Sequence, residues 1–328
     1  MAPEHNNNRF NNNWIQNYFF VDMPATESRY IYRDKRRDAA HQYSGMLKVR
    51  LVTVDPLFIG SGFQELEGTE EGMQFVKQSL EENGKPIIPG SGLKGAVRHI
   101  CRAVSKSCVP QDSCRISLPR GTNLQCKPEK ESYWLERATE EERAKWAKMK
   151  KAQKEAKLDH ACIVCDMFGK MGWSSKVFFS DLVAESGKTE HFRAAQQFAP
   201  HPDAEKYLNG GCHRYKFYYT DIRKDDKNSP QRDLLRAVPP KTVFTGEITY
   251  RNLDQKELGL LLFGLGQSRT ISLKLGGYRN EGFGTVNLTL ASDEIDDPQA
   301  LANEYIDSVD NAVYRSIEQL ENGMSYQA

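Results

Sequence analysis

Pro86-Ile87-Ile88-Pro89-Gly90-Ser91-Gly92-Leu93-Lys94-Gly95-Ala96-Val97-Arg98 is the stretch on which the reading of this chain turns. From Ser91 onward its pattern is helical. Leu93, Val97, Ile100 and Val104 recur at steps of three and four, and Lys94, Arg98 and Arg102 form a basic row beside them. One face packs and its neighbour is cationic. The glycines resemble a phosphate loop only superficially, because Lys94 is followed by Gly95 and Ala96 where nucleotide hydrolysis requires Ser or Thr. What survives is a glycine-rich turn into a helix N-terminus, with Lys94 and Arg98 on one side, suited to a phosphodiester backbone. A tight strand-to-helix turn with solvated bases explains the same spacing.

Upstream, residues 47–54 alternate as a strand with one better-buried face, ending at Asp55-Pro56 before Phe58-Ile59-Gly60-Ser61-Gly62. Residues 65–82 read as a long acidic connector. Downstream, 105–161 reads as an insertion: a cysteine-bearing loop, then one helix over 139–158 that Thr139 and Glu142 open with capping-box spacing. Strands follow at 177–183, in the aromatic run Tyr215-Lys216-Phe217-Tyr218-Tyr219, at 242–250 and at 285–290. Asp254 caps a helix running to Phe263, and Asp297-Pro298 starts one amphipathic terminal helix. Strand, helix, strand, then strand, helix, strand predicts an α+β, ferredoxin-like sheet. The expected division is a disordered segment over 1–16, one elaborated domain over 17–290 with insertions at 105–165 and about 185–240, and a C-terminal helix over 291–328.

Gly276-Gly277-Tyr278-Arg279-Asn280-Glu281-Gly282-Phe283-Gly284 places an arginine and two aromatics among four glycines. Such a loop lets backbone approach a ligand while Arg279 meets phosphate and an aromatic ring stacks on a base. A glycine-rich hairpin reads the same way, and the two loops reinforce each other only if they converge in space.

Cys162 and Cys165 form a Cys-x-x-Cys pair, and Cys108, Cys114 and Cys126 lie in the same insertion, which points to structural zinc. Five cysteines and His160 compete for four positions. Thioredoxin-like redox chemistry does not predict three further thiols. A deaminase requires His-x-Glu before the pair, and His160 is followed by Ala161 and Cys162. Cys101 and Cys212 read as packed thiols. No Gly-x-Ser-x-Gly elbow occurs, so no nucleophilic triad is signalled.

With 45 basic and 44 acidic residues the net charge is +1, so affinity for a polyanion must come from local segregation of charge. No apolar run approaches the roughly 18 residues of a membrane span, and the first residues lack a secretion signal. A cytoplasmic protein without membrane contact is expected.

Together Phe58 to Gly62, Pro86 to Arg98, Cys162 to Cys165 running into Met167-Phe168-Gly169, Phe179-Ser180-Asp181, and Leu275-Gly276-Gly277 to Phe283-Gly284 resemble the RAMP superfamily of CRISPR proteins. Within it the chain resembles the backbone subunit of type III effectors, especially the zinc-bearing III-D and III-E branches and the related type VII system. Arg214 to Tyr219 is also similar to a segment of some such proteins. The resemblance covers roughly residues 45–290. It implies an RRM-like palm, a zinc-bound insertion, and a thumb hairpin within 185–240. It also implies a helical filament of identical subunits along a guide RNA, with a cap subunit, complementary target RNA, and in the type VII arrangement a separate nuclease. Gly60, Ser61, Ser91, Lys94, Arg98, Lys216, Gly276, Gly277, Arg279 and Asn280 are then the expected RNA contacts. Relatives that cut target RNA place an aspartate in the loop after the first strand. Between Gly60 and Gly84 this chain has none, and only Glu65, Glu67, Glu70 and Glu71 stand nearby. A binding subunit that does not cut is expected. An endoribonuclease using His99, His191 or His213 is the competing reading, and a zinc-stabilised interaction protein without RNA is a third.

Overall fold

The computed structural model describes residues 18–24, 31–32, 43–108, 126, 131–195, 214–220, 232–268 and 271–324. Strand β1 (Tyr18–Asp22) and the short β2 (Ile31–Tyr32) precede β3 (Tyr43–Thr53), β4 (Gly60–Thr69), β5 (Gly72–Ser79), β6 (Glu81–Glu82) and β7 (Lys85–Ile88), which leads into helix α1 (Gly90–Ala103). Helices α2 (Glu131–Arg137), α3 (Glu140–Ala147) and α4 (Lys151–Leu158) follow, then β8 (His160–Ala161) and helix α5 (Ile163–Phe168). Next are β9 (Val177–Phe179), β10 (Leu182–Ala184), β11 (Glu190–Ala195), β12 (Arg214–Tyr218) and β13 (Arg232–Ala237). Last come β14 (Val243–Leu253), α6 (Gln255–Gly264), β15 (Leu273–Lys274), β16 (Thr285–Ala291), α7 (Pro298–Ser308) and α8 (Asn311–Met324).

The main sheet runs β15-β16-β3-β14-β10-β7-β6, with β9 also on β14, and its pairs are antiparallel. Taken as β3-α1-β9/β10 and β14-α6-β16, the two strand-helix-strand units interleave around β3 and β14, as the split β-α-β ordering of a ferredoxin-like fold requires. Alternation decides which face is buried: Leu47, Val49, Leu51 and Thr53 point inward while Lys48 and Arg50 are exposed. Leu93, Val97 and Ile100 of α1 cover that face beside α6. The two helices approach closely at Gly264, where a Cβ would stand 2.6 Å from Cys101 Sγ. Cys101 is, as expected, a buried thiol.

Four expectations change. Residues 65–82 are no connector: β4 and β5 form a hairpin that joins β13 and β11 in a second sheet ordered β11-β13-β5-β4. Here Gly72, at φ +103°, makes the turn that its charged neighbours obscured in the sequence. The helix expected over 139–158 is two helices, because Lys150 adopts extended backbone and starts α4 afresh. The terminal helix is likewise two, since Asp310 Oδ1 accepts from the Ala312 and Val313 N–H groups and so caps α8. Within 185–240, β11 and β13 pair with each other, but β12 leaves them to pair with β1. Residues 1–16, Cys114, Cys212 and His213 lie outside the described residues. No helix among the described residues is long and apolar enough to cross a membrane.

A four-cysteine centre and a candidate nucleic-acid interface

Cys162 is the N-cap of α5 and Cys165 lies one turn on, so a single short helix presents both sulfurs to one point. Cys108, just past α1, and Cys126 complete the group: the four Sγ atoms lie within 4.8 Å of one another and all four residues are buried. Sulfurs around one tetrahedral zinc stand about 3.8 Å apart. Here Cys108 Sγ is 3.4 Å from Cys165 Sγ and 3.7 Å from Cys162 Sγ. Four soft sulfur donors at this spacing could hold a metal ion and fit tetrahedral zinc. His160 is not among them and its Nδ1 lies 3.3 Å from the Leu158 carbonyl. Backbone N–H groups already face the sulfurs: Cys162 N donates to Cys126 Sγ at 3.0 Å and Cys108 N to Cys162 Sγ at 3.4 Å.

The segment that carries Cys162 and Cys165 is tied to β9 and α6 by buried charge. Lys176 Nζ lies 2.5 Å from Asp166 Oδ2 and 2.8 Å from Glu257 Oε2, with Asp166 and Glu257 withdrawn from solvent. Burial pushes the Glu257 carboxyl up to about 8, against the pull of Lys176. Lys94 Nζ donates to Ser175 Oγ at 2.9 Å and to the Val177 carbonyl at 3.2 Å, and Arg98 donates to the Gly169 carbonyl at 2.9 Å. Two of the three cations of the helix row, Lys94 and Arg98, are thus half-buried against the chain after α5. At the start of the same helix Gly90 N donates to Asp181 Oδ1 at 2.7 Å, so a carboxylate already complements the helix dipole there. Gly90 is required by packing, since a Cβ would meet the Phe179 carbonyl at 2.3 Å. Ser91 beside it is exposed.

Elsewhere the expected contacts do converge. Gly276, at φ +76°, lets its loop lie on the first glycine segment: a Cβ would stand 2.3 Å from the Phe58 carbonyl, and Gly277 N donates to that oxygen at 2.9 Å. Gly60, Gly276 and Gly277 consequently form one exposed stretch of bare backbone. Ser61 is turned aside, its hydroxyl donating to the Gln78 carbonyl at 3.0 Å. Tyr278 anchors the loop to the second sheet, donating to Asp233 Oδ2 at 2.6 Å and accepting from Lys77 Nζ at 2.9 Å. Arg279 then reaches the β1-β12 ribbon, where its guanidinium lies 4.8 Å from the centre of the Tyr218 ring. Asn280 Nδ2 donates to Glu281 Oε1 at 3.1 Å.

That ribbon is amphipathic across its width. Tyr18 pairs with Tyr218 and Phe20 with Lys216 on the outer face, while Phe19, Val21, Tyr215 and Phe217 are buried beneath. Lys216 is exposed, with its ammonium 3.9 Å from the Tyr18 ring centre and 5.1 Å from that of Tyr218. His99 of α1 lies 3.0 Å from the Lys216 carbonyl, and burial depresses its pKa, so it is a neutral support at pH 7. Lys216 and Arg279 were legible in the sequence; Tyr18 and Tyr218 were not, because the pairing of β1 with β12 spans 200 residues of chain by their numbering. Two of the four glutamates near the first loop have other partners, Glu71 pairing with Arg193 at 2.7 Å. Glu67 receives Arg236 Nη2 at 2.5 Å, Gln78 Nε2 at 2.6 Å and His191 Nε2 at 2.9 Å.

Exposed backbone, two cations and two tyrosine rings on a ferredoxin-like scaffold are the groups that nucleic-acid-binding surfaces use, and the same chain carries four clustered cysteines that could hold a metal ion. A sequence model of the RAMP superfamily matches residues 50–287, and the chain belongs to that superfamily. Membership is consistent with a CRISPR-associated subunit that binds RNA. Among curated proteins none matches the chain.

Proposed function

We propose that this protein is the backbone subunit of a CRISPR RNA-guided ribonucleoprotein, binding guide RNA in a filament of identical copies and presenting complementary target RNA without cutting it. The observation that supports this most is the convergence of the two glycine segments with Arg279, Tyr218 and Lys216 on one exposed face of a RAMP-superfamily chain. Bare backbone admits a phosphate–sugar strand, the cations meet its charge, and the tyrosines stack on bases irrespective of sequence, as a guide of variable sequence requires. Zinc, held by Cys108, Cys126, Cys162 and Cys165, is structural in this reading and takes no part in RNA chemistry. A cap RAMP subunit and a separate nuclease complete the assembly. Non-cutting follows from the missing aspartate, and Glu67 is a poor replacement because its carboxylate is committed to Arg236.

The test is to express the protein beside a CRISPR array with its neighbouring subunits, trim with nuclease, and sequence the RNA that co-purifies. Spacer-bearing fragments whose protected lengths step by a constant increment are expected, and complementary RNA added to that complex should stay intact. RNA without spacer sequence, or none, defeats the reading. In binding titrations Lys216→Ala and Arg279→Ala should each flatten the dependence of log K on log salt by about 0.7, the contribution of one single-strand phosphate. Tyr218→Ala should cost about 1–3 kcal/mol with the salt dependence unchanged.

A further inference from the structure

Arg98 stands at the junction of α1 and the four cysteines. One Nη2 atom donates to the Gly169 carbonyl at 2.9 Å and lies 3.8 Å from Cys165 Sγ, a distance that sulfur allows. Its Nε is buried and has no hydrogen-bond partner among the described residues. Two other cations near the centre have carboxylates of their own: Lys170 pairs with Asp159 at 2.5 Å and Lys176 with Asp166 and Glu257. Arg98 has no carboxylate partner among the described residues, so the anionic group it faces is sulfur.

Four thiolates around a dication carry a net charge of about −2, and burying it without a counter-charge is costly. Two backbone N–H groups offset part of that charge, at Cys126 and Cys162.

We infer that Arg98 is a positioning residue of the metal centre: its guanidinium donates to the Cys165 thiolate, supplies the buried counter-charge, and so governs how tightly the metal is held. The proposal rests on the four-cysteine centre and is independent of RNA binding. It also changes what the cationic row of α1 is for, since this arginine faces inward to sulfur.

The experiment uses full-length protein loaded with zinc, with transfer of the metal to a colorimetric chelator followed over time. Arg98→Gln and Arg98→Met, which fills similar space without charge, are compared with Lys94→Gln, a change on the same helix whose contacts are with Ser175 and Val177 and not with sulfur. Loss of a group that orients a metal ligand costs about 10–100-fold in affinity. Transfer from the Arg98 variants should therefore quicken by about that factor, while Lys94→Gln stays near wild type. The same proteins loaded with cobalt give a readout that mere loosening does not move. Removing a donor from a thiolate should shift its sulfur-to-cobalt charge-transfer band to lower energy. Wild-type rates and an unshifted band in whichever Arg98 variant folds overturn the inference alone. A wild-type chain that retains neither metal overturns the centre as well.

Discussion

Glu67 shows how one side chain holds together a sheet whose strands are far apart in sequence. It lies on β4, and Arg236 and His191, which it binds, lie on β13 and β11. Hydrogen bonding from Arg236 lowers the Glu67 pKa from its ordinary 4.5 to about 2. The stabilisation is therefore complete above pH 4.5 and fades as pH falls through 2. Glu67→Gln should cost on the order of 1 kcal/mol at pH 7, discounted for the partly exposed arginine, and should remove this part of the acid limb. Denaturant midpoints measured against pH in both proteins check it, and identical limbs would refute it. Gly276 is constrained differently: it needs a left-handed backbone, and its missing Cβ makes room for the Phe58 carbonyl 2.3 Å from where that atom would sit. Gly276→Ala should destabilise by about 1–3 kcal/mol, more than Gly92→Ala, whose added methyl meets nothing within 4 Å. Both glycines sit in motifs that read alike in sequence, and only the neighbouring chain separates them.

At the scale of elements, α5 is too short to stand alone. Its six residues and N-cap together hold two cysteines, with Arg98 and Lys94 of α1 and the Lys176 ion pairs gripping α5 and the chain that follows it. Purified protein should carry about one zinc per chain, and Cys162→Ser should lose it. The loss should loosen α5 and the residues up to β9 while the β3-β14-β16 core stays folded, because that core is built from apolar contacts among its own strands and helices. Hydrogen exchange resolved by peptide would show this, and uniform unfolding would contradict it. The sequence made these elements legible where period and capping agree, as in α1, β3 and α6 with its Asp254 capping box. The β4-β5 hairpin was hidden because Phe63, Leu66, Met73 and Phe75 stand in exposed positions among glutamates. Neither alternation nor composition then marked a strand. The cysteines of the cluster could be narrowed by spacing but not chosen, since Cys126 reaches the others only through the fold.

Over the whole molecule, the two ends of the described chain meet. Gln319 of α8 accepts from Asp22 N at 2.8 Å, Ser316 donates to the Asp22 carbonyl at 2.7 Å, and Phe19 lies where a Cβ on Gly323 would stand 2.2 Å from its ring. The ribbon bearing Lys216 and Tyr218 therefore rests on the last helix. A chain shortened to residue 308 should keep its central sheet, lose protection of β12, and bind RNA at least tenfold more weakly. Calorimetry beside exchange of residues 214–218 would decide this, and unchanged RNA affinity would refute it. None of this closure was legible in the sequence, where α8 read as the end of one amphipathic helix and β1 as the point where order begins. Order of synthesis gives the closure a further meaning. Among the described elements β1 is made first and α8 last, so β1 meets its partners on α8 only once α8 has left the ribosome. In a nascent chain the ribbon bearing Lys216 and Tyr218 accordingly lacks this support until α8 has emerged.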